Sequence, residues 1–252
     1  MILTLPVSHL ISENNYSRIP GIRALEYRNP QPVFNSEMEC LFHSNYGIIQ
    51  KEFIDYFDSI SDYLNENKFK LFSFDFGPAV EAVKIQDFYY VTESDLLSKS
   101  ELEKKVHSRL SYVKSKFNGD IAMENLNYYP TTAYSHICEA EFISDIIRKN
   151  DVYMVLDIAH AVISAHNMEI DRYEYLSSLP LDRVKEIHLS APGIKDGKWQ
   201  DLHEIPTIDE YKILNFIRER LFIKPYIVVE YYKNISVLRE IYSMLNDNVM
   251  LI

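Results

Sequence analysis

The chain has 252 residues, 47% of them hydrophobic, 13% aromatic and 25% charged. It is too apolar for a disordered chain and long enough for a sizeable buried core. Lys and Arg number 26 against 37 Asp and Glu, a net charge of −11. That excess repels nucleic acid and anionic membrane unless a local basic patch intervenes, and no Lys/Arg run supplies one.

Other classes fall away on counts. Two cysteines, Cys40 and Cys138, are too few for a disulfide scaffold or a thiolate zinc cluster. No apolar run approaches the roughly 18–20 residues that span a bilayer. The opening MILTLPVSHLISENN lacks a basic region and a small-residue cleavage site, so the expected location is cytoplasmic. Only 6 glycines occur, and Gly-x-Gly-x-x-Gly, Walker and Gly-x-Ser-x-Gly patterns are absent, so no phosphate-cradling loop is expected.

In chain order, strands are predicted at Leu3–Ser8, Arg23–Tyr27 and Glu39–His43. Apolar residues three and four apart (Ile49, Phe53, Tyr56, Phe57, Ile60, Leu64) then predict a helix, and Lys70–Asp75 the next strand. Leu102, Val106, Leu110, Val113 and Phe117 form a second helical stripe before the strand Asp120–Glu124. From there helices at Glu141–Lys149, Ile170–Leu179, Ile208–Leu221 and Ser236–Leu245 alternate with strands at Val152–Asp157, Val184–Leu189 and Tyr226–Glu230. Such alternation implies parallel βαβ units, and this number of strands implies an α/β fold closed as a (β/α)8 TIM barrel. A doubly wound open sheet is the alternative, but its phosphate-binding first turn is missing. No repeat or linker-like stretch divides the chain, so residues 1–252 are read as a single barrel domain.

A barrel enzyme builds its site at the C-terminal ends of the strands. Those ends carry His43, Asp75, Glu124, Asp157 with His160 just beyond, His188 followed after a loop by Asp201 and His203, and Glu230. Acids crowded into one cleft repel one another unless cations sit among them. Imidazole and carboxylate form the ligand set of iron, manganese or zinc, and there are enough candidates for about two or three ions. A salt-bridged barrel mouth is the competing reading, weakened because few Lys or Arg lie near these strand ends. Asn125, Tyr128 and Asn167 stand close enough in sequence to support the ligands or touch substrate. His136 and His166 fall in predicted loops, and Cys40 is expected to be a buried small hydrophobe.

From Ile121 onward the residues resemble the multinuclear non-heme iron-dependent oxidative enzymes, a family of xylose-isomerase-like TIM barrels. The carrying segments are Met-Glu-Asn (123–125), Glu-Ala-Glu-Phe (139–142), Leu-Asp-Ile-Ala-His-Ala-Val-Ile-Ser-Ala-His-Asn (156–167), Glu-Ile-His-Leu-Ser (186–190), Asp-Leu-His (201–203) and Val-Val-Glu (228–230). Ala-Leu-Glu-Tyr (24–27) and Leu-Phe-His-Ser (41–44) also fit. The resemblance implies that Asp157, His188 and Glu230 bind one metal, with Glu124 bridging to a neighbour. It assigns His160, Asp201 and His203 to another ion and His43 to the remaining position. It also implies about two or three iron ions per chain with O2 as co-substrate, and zinc or manganese as the alternative metals. The implied substrate is a ribosomally made peptide, in family members often modified at Cys and often with a small partner protein. Two departures stand out. Phe-Ser-Phe-Asp-Phe-Gly puts Asp75 where the family usually has Ser-Glu-His-Leu, and His160 replaces a common Asn. A His at that place is shared with abasic-site endonucleases, so a zinc-dependent phosphodiester hydrolase is the alternative function. Sugar isomerisation lacks a strand-end Lys, and a barrel that binds without turnover is the remaining reading.

Overall fold

In a parallel barrel, alternate residues of each strand face the interior and the others face the helices. The computed structural model, which describes residues 1–35 and 37–247, closes a parallel barrel of eight strands. They are β1 (Ile2–Pro6), β2 (Ala24–Tyr27), β3 (Glu39–His43), β4 (Leu71–Asp75), β5 (Asp120–Glu124), β6 (Tyr153–Asp157), β7 (Val184–Leu189) and β8 (Tyr226–Val229). β2 to β8 each lie within a predicted strand, β1 overlaps its predicted Leu3–Ser8 but begins at Ile2, and β1 pairs with both β2 and β8 to seal the ring.

The interior changes character over one pleat. Ala24, Leu41, Leu71, Ala122, Val155 and Tyr226 pack into an apolar plug inside the barrel. Two residues further along the same strands stand Glu26, His43, Ser73, Glu124, Asp157 and Val228, all buried. With a period of two, the plug and the polar layer above it belong to one interior face. The intervening residues Leu25, Phe42, Phe72, Met123, Leu156 and Ile227 join the larger core beneath the helices.

Helices α1 (Phe53–Glu66), α2 (Lys99–Lys116), α3 (Ala140–Lys149), α4 (Ile158–Asn167), α5 (Arg172–Ser178), α6 (Ile208–Arg218) and α7 (Ile235–Asn246) cover the outside. The α1 stripe meets the aromatic face of β3 and β4, with Phe53 and Phe74 ring centroids 4.8 Å apart and Phe57 and Phe72 5.4 Å apart. Above the barrel the loops after β3 and β4 touch backbone to backbone. A Cβ on Gly47 would stand 2.0 Å from the Gly77 carbonyl oxygen, which only glycine permits.

Three features depart from expectation. Helix α4 occupies a stretch left as loop, so His166 and Asn167 lie on a helix rather than in a loop. All its residues from Ile158 to Ala165 except His160 are buried, so it shows no one-sided stripe to detect. Two antiparallel hairpins also interrupt the alternation, Val83–Gln86 with Tyr89–Thr92 and Ala191–Lys195 with Lys198–Glu204. The second turns through Asp196 and Gly197, both at positive φ, and Asp-Gly is the standard signal for such a turn. The loop expected before Asp201 and His203 is therefore the second hairpin, and both residues lie on its returning strand.

Candidate metal centre

The polar interior layer and the loops above it gather the candidate ligands. Ends of β3, β4, β5 and β6 deliver His43, Asp75, Glu124 and Asp157, and β7 contributes His188. Glu230 follows β8, His160 sits in the first turn of α4, and the second hairpin reaches over with Asp201 and His203. His203 adopts φ +47, a conformation costly for a non-glycine residue and frequent at functional positions.

Four clusters result among the described residues, one of them Glu26, Glu186 and His188 beneath the others. One potential ligand atom from each of Asp157, His188 and Glu230 lies within 4.8 Å of the others, and the same is true of His43, Asp75 and Glu124. Glu124, Asp157 and His160 form the fourth, so Glu124 stands between clusters. Its Oε2 lies 3.2 Å from His43 Nε2 and its Oε1 3.1 Å from His188 Nδ1. Asp201 links the outer residues, with its Oδ2 3.4 Å from His160 Nε2 and 3.2 Å from His203 Nε2. His203 Nε2 also lies 3.4 Å from Glu230. All of the predicted ligand residues thus converge on one face of the barrel.

Electrostatics set these acids apart from surface carboxylates. Burial, augmented by Glu124 and Asp201, pushes the Asp157 carboxyl up to about 8. Burial and Glu124 likewise raise Asp75 to about 7. Burial also opposes ionisation of Glu124, but the neighbouring His188 and His43 outweigh it and hold that carboxyl at about 2. For His160 and His188 burial works against the charged ring, yet the surrounding carboxylates raise both well above the usual imidazole value. His43 goes the other way, to about 4, through burial and the Arg28 cation.

Arg28 brings a cation to the mouth. One residue beyond β2, it forms a close ion pair with Glu230 and donates from Nε to Glu26 at 3.1 Å. Glu26 itself, noted in sequence only within Ala-Leu-Glu-Tyr, is fully buried and lies 3.0 Å from His188 Nε2. Glu186 stands beside it, also fully buried, with Oε1 lacking a hydrogen-bond partner. Its position two residues before His188 on one strand was the available signal, because an acid at an inward-facing position of a buried strand needs a partner.

Asn125, Tyr128 and Asn167 form backbone ties. Asn125 Nδ2 donates to the Asp157 carbonyl and its Oδ1 accepts from the Asp157 N–H, both at 3.0 Å. Asn167 Nδ2 donates to the Tyr128 carbonyl at 2.7 Å, and the Tyr128 N–H donates to Ser164 Oγ. Together they lock the loop after β5 onto α4. His136 is half-buried beside Glu139, on the path into α3. Both cysteines are buried and unpaired.

Comparison with known proteins agrees with this architecture. Solved structures of similar fold include D-psicose 3-epimerase from Clostridium cellulolyticum H10 (TM-score 0.61, 10% identity, 100% of this chain and 99% of that one). Mannonate dehydratase from Streptococcus suis serotype2 is another (TM-score 0.63, 9% identity, 100% and 94%). At such identity the likeness is one of fold. Sequence relatives include a UPF0276 protein of Acaryochloris marina, 32% identical over 102 residues, covering 40% of this chain and 37% of that protein. Another, from Caulobacter vibrioides, is 34% identical over 89 residues, covering 35% and 32%. Each match spans about a third of the relative's length. Residues 92–248 match the family model described as "RiPP precursor modification enzyme MbnB/TglH/ChrH". That match covers more than half of the chain and includes β5 to β8 with every candidate ligand except His43 and Asp75, and on it the protein belongs to the MbnB/TglH/ChrH family.

Proposed function

We propose that the protein is a multinuclear iron-dependent oxidase or oxygenase that uses O2 to modify a residue, with Cys the first candidate, of a ribosomally made precursor peptide. The observation that carries this reading is the pair of orphaned acids in the histidine-rich mouth. Asp157 Oδ2 and Asp201 Oδ1 are buried with no hydrogen-bond partner among the described residues. Leaving a buried carboxylate oxygen unpaired costs several kcal/mol, on the order of 1–3 or more, and a cation bound between these oxygens and the adjacent imidazoles relieves it. The donors are nitrogen and oxygen only, a set that suits iron, manganese or zinc.

In this reading Asp157, His188 and Glu230 hold one ion, His43, Asp75 and Glu124 a second, and His160, Asp201 and His203 a third, with Glu124 shared. Iron bound there supplies Lewis acidity toward a substrate donor and electrons toward O2. The chain's own contribution is placement and charge. Asp75 brings a carboxylate to the second position, making that ion's surroundings more negative than a histidine would. Arg28 offsets part of the negative charge around Glu230 and stands, partly exposed, at the mouth where a peptide enters. The buried interior layer keeps bulk water below the ligands from competing for them. We further read residues 1–252 as one barrel domain, and any small partner protein as an aid to substrate recognition.

The test is to incubate iron-reconstituted protein, reducing agent and O2 with each short peptide encoded by the genes neighbouring its own, and to follow peptide mass. A mass change confined to one residue type and dependent on iron and O2 is expected. No mass change with iron fully loaded would overturn the reading, and chelator-sensitive cleavage of an abasic duplex would replace it with phosphodiester hydrolysis.

A further inference from the structure

Beside the ligand cluster, a recess of about 300 Å³ opens between the two hairpins. Phe88 and Tyr89 come from the first hairpin, Trp199 from the second, and Tyr129 from the loop after β5. His166 and Asn167, at the end of α4, complete the wall. The rings brace one another. Phe88 lies edge-on to Tyr129 with centroids 5.2 Å apart, and the His166 ring lies against Trp199 at 5.0 Å. Lys198 spans the rim with Nζ 5.7 and 5.6 Å from the Phe88 and Tyr89 ring centres. Tyr129 OH donates to the Trp199 carbonyl at 3.1 Å, tying the loop to the hairpin. Ile194, 66% exposed, pairs directly with Trp199 across the hairpin and so extends the same apolar face outward.

The recess has a defined spacing from the ligands. Trp199 and Asp201 are two residues apart on one strand, about 7 Å along the backbone, with the hairpin register shifting just beyond Gln200. Asn167 is seven residues from His160 on α4, which puts both on one face about 10 Å apart. An extended peptide repeats its side-chain direction every second residue, also about 7 Å.

We propose that this recess is a subsite for an apolar side chain, aromatic or large aliphatic, carried by the substrate peptide two residues from the one being modified. The inference rests on the peptide-modifying reading above, and adds the side-chain class and its spacing. Aromatic walls give such a side chain a large contact area at little entropic cost, and the tie between Tyr129 and Trp199 preforms the recess.

Trp199 is the chain's single tryptophan, so its fluorescence reports on the recess independently of turnover. The full chain, as purified and after metal loading, is titrated with N-acetyl-phenylalanine amide, N-acetyl-leucine amide, N-acetyl-glycine amide and D-fructose. Saturable change with the first two alone is expected. On metal-loaded protein, one of Ac-Phe-Gly-Cys amide and Ac-Cys-Gly-Phe amide, which present the pair in the two chain directions, binds about tenfold more tightly than Ac-Phe amide or Ac-Gly-Gly-Cys amide, because the second contact becomes intramolecular. Ac-Phe-Cys amide, with the wrong spacing, lacks that gain. No saturable response to the phenylalanine probe, a response to fructose instead, or equal affinity for the two Phe-Cys spacings would each overturn the subsite. None of these outcomes bears on whether iron and O2 modify a peptide, which peptide mass decides separately.

Discussion

His188 shows how one side chain is fixed for a purpose. Its Nδ1 faces Glu124 and Glu230, 3.1 and 3.8 Å away, while Nε2 faces Glu26 at 3.0 Å. A carboxylate accepting from Nε2–H selects the tautomer that leaves the Nδ1 lone pair free, the usual support for a metal-binding imidazole. Glu26→Gln keeps the size but can present its amide N–H₂ to the ring, so metal affinity falls about 10- to 100-fold. Isothermal titration of the metal-stripped chain measures this, and unchanged affinity would remove Glu26 from the support. Sequence reading found His188 because it ends an apolar strand. It passed over Glu26 as a mere family match, and Arg28 entirely, because their partners Glu230 and His188 lie more than 150 residues away and only ring closure brings them together.

At the scale of elements, Asp157 serves two structures at once. It ends β6, and its Oδ1 caps α4 by accepting from the His160 N–H at 2.6 Å, leaving Oδ2 for the cluster. Asparagine caps a helix about as well as aspartate, so Asp157→Asn separates folding from ligation. The pH dependence makes the separation visible. In the metal-stripped chain the Asp157 carboxyl is raised from 3.8 to about 8 and Asp75 to about 7. The folded state therefore holds more protons than the unfolded one between those limits, and stability falls as pH rises from about 4 to 8. His160 and His188, also raised, add to the same trend, since their contribution is full below the usual imidazole value and is lost above it. The depressed Glu124 and Glu230 add stability up to about pH 5 and are level above it, and His43, lowered to about 4, offsets part of the fall below the usual imidazole value, so the fall is steepest toward pH 8. Thermal melts should show the wild-type Tm falling toward pH 8, a shallower fall for Asp157→Asn, and metal content lost in the variant. A variant that binds metal like wild type would contradict the assignment. The strands were legible because each pairs an apolar outward face with an abrupt polar end. Helix α4 was not, because a helix buried nearly all round carries no amphipathic signal. The Asp196-Gly197 turn is legible in the sequence, and with it the returning strand that carries Trp199, Asp201 and His203.

At the scale of the whole molecule, the barrel presents a negatively charged, histidine-rich mouth on a chain of net charge −11. That charge favours metal cations and disfavours a phosphate backbone, which sets an oxidase apart from a nuclease of similar ligand spacing. No helix among the described residues is long and apolar enough to cross a membrane. Fold likeness to epimerases leaves the chemistry open, because a barrel hosts many reactions and the site decides among them. On the proposed reading the mouth holds several irons. Protein purified without oxygen, analysed for metals and by Mössbauer spectroscopy before and after O2, tests it most directly. About two or three irons per chain, with a spectrum that changes on exposure to O2, is the predicted result. Zinc alone, with iron refused on reconstitution and no response to O2, would contradict it.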